Sequence, residues 1–158
     1  MKLAIGADHR GQEVAARLGE ALRQQGHQVV VHAPAPGVAC DYPETAWVVG
    51  TSVARGEAEM GVLVCGTGVG MCMAANKIPG VRAASIHDEI TAELCRSHNN
   101  ANVICFSADL LGYRLIEKIT DTCLNTPFSG GRHARRLAKI VAIEQGNDPQ
   151  RVTDGSGA

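Results

Sequence analysis

Residues 62–77 read VLVCGTGVGMCMAANK, and the reading of this stretch decides the fold. Val62-Leu63-Val64 is a β-branched and aliphatic run of the kind that ends a buried strand. Cys65 stands where the strand stops. Gly66, Gly68 and Gly70 follow, separated only by Thr67 and Val69, and Met71 to Asn76 reads as helix. A strand, a glycine turn and a helix start present a cup of backbone N–H groups, a ready site for an anion. Cys65 lies beside that cup, where negative charge appearing during a reaction is stabilised. The expectation is an active centre at the carboxyl end of a strand. A nucleotide-phosphate loop is one competing reading, although GTGVG matches neither G-x-x-x-x-G-K-[ST] nor G-x-G-x-x-G. A structural turn with an inert buried cysteine stays open as the alternative.

Working outward, strands and helices alternate. Leu3–Gly6, Gln28–His32, Met60–Val64, Val81–Ile86 and Asn102–Phe106 read as strands. Helices are expected over Gln12–Gln25, Glu44–Arg55, Met71–Asn76, Glu89–Ser97, Ala108–Leu124 and Arg132–Glu144. The three prolines in Ala33–Pro43 mark a loop. This alternation implies βαβ units, hence an α/β fold of three layers, Rossmann-like, with a five-stranded parallel sheet and a C-terminal helix. One domain is expected over 1–145, with 146–158 a flexible tail that has little to bury.

Composition narrows the function. Of 158 residues 45% are hydrophobic but only 3% aromatic, which suits an aliphatic α/β core better than a base-stacking nucleic-acid surface. A net charge of −1 gives no field for nucleic acid or an anionic membrane. No apolar run approaches the ~20 residues of a membrane span. A strand beginning at Met1–Gly6 leaves no space for a signal peptide, so a cytoplasmic protein is expected. The six cysteines include no C-x-x-C pair and no spacing with histidine that suggests a metal site.

In parallel sheets ligands bind beyond the carboxyl ends of the strands. That rule gathers Asp8 and His9 after the first strand, Cys65-Gly66-Thr67 after the third, and Asp41-Tyr42 from the loop after the second. It also places His98-Asn99, before the fifth strand, on this carboxyl edge. Each has a plain alternative: Asp8 as a helix cap, His98 and Asn99 as a helix end, the arginines as a solvated face. Arg132 and Arg136 are four apart and share a helix face in its first turn, where two cations oppose the helix dipole. An anion bound between them resolves the conflict, and phosphate suits the guanidinium fork.

These residues resemble the ribose-5-phosphate isomerase type B family, which also includes galactose-6-phosphate and allose-6-phosphate isomerase chains. The similarity is carried by GADHRG at 6–11, DYP at 41–43, CGTGVG at 65–70, AANK at 74–77, HN at 98–99, NV at 102–103 and GGRH at 130–133. The resemblance implies an aldose–ketose isomerase with no metal and no cofactor. In it, Cys65 is the base moving a proton between C1 and C2, and the amides of Gly66, Thr67, Gly68, Val69 and Gly70 hold the enediolate oxygen. Thr67 is set beside the thiol, and His98 opens the sugar ring. Asp8 handles hydroxyl protons, Tyr42 and Asn99 bind hydroxyls, and His9, Arg132 and Arg136 take the phosphate. It further implies a homodimer or a dimer of dimers, with the arginine helix reaching the neighbouring subunit. One departure stands out: the family often has a phosphate-binding arginine where this chain has Asp109. Asp109 then either caps the fifth helix, pairs with an arginine such as Arg114 or Arg135, or marks another substrate, a tetrulose 4-phosphate or a hexose 6-phosphate. A non-catalytic sugar-phosphate-binding module is the remaining alternative.

Overall fold

The computed structural model describes residues 1–153. Its strands are β1 (Lys2–Ala7), β2 (Gln28–His32), β3 (Met60–Cys65), β4 (Ala83–Ser85) and β5 (Val103–Ser107). They form one parallel sheet in the order β2-β1-β3-β5-β4. The helices are α1 (Gln12–Gln24), α2 (Tyr42–Ala54), α3 (Val69–Ala75), α4 (Glu89–Ser97), α5 (Tyr113–Asn125) and α6 (Arg132–Glu144). The expected three-layer α/β architecture is therefore present.

Alternation along β1, β3 and β5 splits the core in two. Leu3, Ile5, Val62, Val64, Ile104 and Phe106 meet α1, α4 and α5 on one face, through Leu18, Leu22, Ala92, Ile116 and Ile119. Ala4, Leu63, Cys65, Val103 and Cys105 meet α2 and α3 on the other, through Ala46, Val49, Met71 and Ala75. Burial on both faces is why the central strands read as unbroken apolar runs in the sequence.

The boundaries differ from expectation where local chemistry outweighs composition. α2 begins at Tyr42, because Pro43 is tolerated in a first helical turn. β4 shrinks to Ala83–Ser85: it is an edge strand, and its free side is held by Asn76, whose Oδ1 accepts from Ala83 N–H at 2.8 Å and whose Nδ2 donates to the Ala83 carbonyl at 2.9 Å. α5 starts only at Tyr113, after Gly112, so Asp109 is not its cap. Of the segment read as a tail, the described part carries a 3-10 turn, Pro149–Arg151, capped by Asp148 and packed on α6; residues 154–158 lie outside the described residues. Among the described residues no helix is long and apolar enough to cross a membrane.

Candidate active site

β1 is followed by a helix on one face and β3 by a helix on the other, so the crevice between their carboxyl ends is the topological switch point where such sheets take ligands. Register places Ala7 beside Val64 there, which brings Asp8 next to Cys65. The Cys65 side chain is buried, with 4% of its surface exposed, and the Gly68 N–H donates to its Sγ at 3.1 Å. Gly68 has φ +77° and lies against the Phe106 carbonyl, a conformation and a closeness that only glycine accommodates. Val69 N–H reaches Thr67 Oγ1 at 3.4 Å. The N–H groups of Thr67 and Gly70 have no partner among the described residues, which leaves them for an oxyanion beside the sulfur.

The neighbouring loops close round this cup. Asp8 is buried, and its Oδ1 accepts from the N–H groups of Arg10 and Gly11 at 2.9 and 3.0 Å. It therefore orders the turn before α1 and does not cap the helix itself, whose cap position is Gly11. His9 Nδ1 is 3.1 Å from the Cys40 carbonyl, which ties the β1 loop to the loop carrying Tyr42. The Tyr42 ring lies on Gly70, where even a methyl group would stand 2.7 Å from ring carbons. Ser107 Oγ donates to the Gly66 carbonyl at 2.6 Å, and Ala108 N–H to the Cys65 carbonyl at 2.9 Å. Asp109 pairs with neither Arg114 nor Arg135. Arg10 Nε donates to its two oxygens at 3.2 and 3.0 Å, and Nη2 stands 2.8 Å from Oδ2.

The remaining site residues lie elsewhere in the chain. His98 is the C-cap of α4, and a helix that follows a parallel strand runs back to the amino edge of the sheet. Arg82 N–H donates to Asn102 Oδ1 at 2.7 Å and Arg82 Nε to the Asn100 carbonyl at 2.9 Å, which fixes this turn at the start of β4 and β5. His98 and Asn99 are thus not on the carboxyl edge, and a strand length, about 16–20 Å, separates that edge from Cys65. They have their own neighbours. The rings of His98 and His133 stack at 4.1 Å with 7° between their planes, and Arg132 Nε is 3.5 Å from His133 Nε2. Burial, then His98, Arg132 and Arg136, push the His133 imidazole below its ordinary pKa. Asn99 lines a cavity of about 580 Å³ with Asn76, Lys77, Arg82, Ile140 and Ile143.

The structure therefore splits the expected site residues into two groups. Asp8, His9 and Tyr42 gather around Cys65 to Gly70, whereas His98, Asn99, Arg132 and Arg136 lie at the end of α4 and the start of α6. Sequence reasoning missed three contributors: His133, Ser107 and Arg10. Two of them sit inside quoted motifs, GGRH and GADHRG, but only tertiary contacts reveal what they touch.

A thiol and a glycine-rich turn at the switch point of a three-layer α/β sheet place this chain among Rossmann-like domains. Residues 3–140 match the family described as Ribose/Galactose Isomerase, and the chain belongs to that family of sugar-phosphate isomerases. Ribose-5-phosphate isomerase B of Escherichia coli is 39% identical over 144 residues, 91% of this chain and 97% of that protein. D-erythrulose-4-phosphate isomerase of Pectobacterium atrosepticum is 36% identical over 145 residues, 91% of this chain and 95% of that one. A crystal structure of ribose-5-phosphate isomerase B from Mycoplasma genitalium with bound ribulose-5-phosphate is similar at a TM-score of 0.88 and 40% identity, covering 91% of this chain and 96% of that chain.

Proposed function

We propose that the chain interconverts ribose 5-phosphate and ribulose 5-phosphate through a cis-enediolate. As thiolate, Cys65 takes the C2 hydrogen of the open-chain aldose, and the electron pair moves onto the carbonyl oxygen at C1. The free amides of Thr67 and Gly70 hold that oxygen, Asp8 transfers the hydroxyl proton, and return of the proton to C1 gives the ketose. His98 opens the furanose ring, since only the open chain enolises. Tyr42 and Asn99 bind hydroxyls; His9, Arg132 and Arg136 take the phosphate. The reading is carried by Cys65 at the tip of β3, with the Gly68 N–H aimed at its sulfur and unpaired amides beside it.

Because the two halves lie on opposite edges of one sheet, the working site is proposed to form between two copies. The cationic half of one copy closes over the thiol half of the other in a two-fold dimer. Exposed apolar side chains support this: Trp47 at 62%, Met73 at 64%, and Ile140 and Ile143 on α6. α6 packs chiefly on the 3-10 turn, and is tied to the body near its ends by the His98–His133 stack and by Gly80 N–H donating to Glu144 Oε1 at 2.9 Å. A dimer of dimers builds on the same unit.

A second reading keeps the chemistry and changes the sugar to a tetrulose 4-phosphate or a hexose 6-phosphate. It is favoured by the carboxylate of Asp109 near the rim and by the similarity to an erythrulose-4-phosphate isomerase. Isomerisation assays over tetrose, pentose and hexose phosphates decide. Ribose 5-phosphate is expected to give the highest kcat/KM; another sugar converted faster transfers the assignment to it.

A further inference from the structure

We infer that Arg10 and Asp109 form a latch that positions Asp8 against Cys65, a role that rests on the isomerase reading of this site. The Nε and Nη2 edge of Arg10 faces the Asp109 carboxylate in a forked pair, at 2.8 to 3.2 Å. Arg10 belongs to the loop after β1, and its own N–H is one of the two that hold Asp8 Oδ1. Asp109 belongs to the loop after β5, and its own N–H donates to the Gly66 carbonyl at 3.2 Å. The pair therefore joins the loop carrying the carboxylate to the loop carrying the thiol. It crosses directly over Gly66: a methyl group there would stand 3.1 Å from both Arg10 Cδ and Asp109 Oδ2.

Among the described residues the other hydrogen bond between these two segments is long, 3.3 Å from Asp8 N–H to the Val64 carbonyl. The pair is also too open to matter for stability, with the two side chains 56% and 38% exposed. A forked ion pair at a rim contributes geometry instead, and small displacements of reacting groups cost rate steeply. The guanidinium also cancels a carboxylate that otherwise opposes an anionic substrate, so the latch carries the Asp109 charge without weakening the cup.

A double-mutant cycle with Arg10→Ala, Asp109→Ala and the two combined tests this. Each single variant is expected to lower kcat for ribose 5-phosphate about 10- to 100-fold, with KM moving less. The combined variant should be no slower than the slower single, and the melting midpoint should move by no more than about 4 °C. An unchanged kcat in either single variant overturns the latch, as do losses that multiply in the double. If the unmodified protein does not turn over ribose 5-phosphate, the substrate reading has failed and the latch is judged separately. Iodoacetamide alkylation of Cys65, followed by peptide mass spectrometry, is then expected to run several-fold faster in both single variants. Rates equal to those of the unmodified protein reject it.

Discussion

Cys65 is one of six free thiols, and three of the others, Cys95, Cys105 and Cys123, are buried too. What separates it is its neighbours: a backbone N–H directed at its sulfur, Asp8 across the β1–β3 register, and, two and five residues on, amides with no partner among the described residues. A base acts only where the proton it takes and the charge it creates are both accommodated. Cys65→Ala is therefore expected to lower kcat by about 10²- to 10⁴-fold. Binding of ribose 5-phosphate, measured by titration calorimetry, should survive within a few-fold, because the groups proposed to hold the phosphate are untouched. Retained turnover would remove Cys65 from the mechanism.

At the scale of elements, the stack between the end of α4 and the start of α6 is the feature with a pH signature. The folded His133 titrates below its ordinary value of 6.5, through burial first and then the charges of His98, Arg132 and Arg136. Between the folded and the unfolded value the unfolded chain binds more protons, so stability rises with pH through this window and falls as pH drops below about 6.5. Thermal unfolding between pH 5 and pH 7.5 should show this slope, and His133→Gln should flatten it. An equal slope in both proteins assigns the effect to other groups. The same stack holds Arg132, whose Nε is 3.5 Å from His133 Nε2, so a packing contact at a helix end bears on the phosphate binding proposed for Arg132.

For the whole molecule, the parallel sheet itself keeps the two proposed half-sites apart, since every returning helix ends on the edge opposite its strand's tip. The proposed two-fold dimer would turn that separation into a pair of complete sites. Subunits carrying Cys65→Ala and subunits carrying His98→Asn are each expected to be inactive alone. Mixed and allowed to exchange, they should recover about a quarter of the original rate, because half of the dimers are mixed and each of those has one intact site. No recovery, with mixed dimers shown by native mass spectrometry, places His98 and Cys65 in the same subunit's chemistry or His98 outside it.

The alternation of strands and helices, the five-stranded parallel sheet and the strand–glycine–helix unit around Cys65 were all set by local order in the chain. Apolar runs buried on both faces and glycine turns speak through neighbours in sequence, and so did Tyr42, His9 and Asp8 as companions of the thiol. The sites of His98 and Asn99 did not, because a helix end looks the same in sequence whichever edge of the sheet it reaches. Nor did the fate of Asp109: its partner stands 99 residues away in the chain, at Arg10. Only the tertiary structure decides such contacts, since the pairing of distant side chains depends on how whole layers stack and not on the residues that flank them.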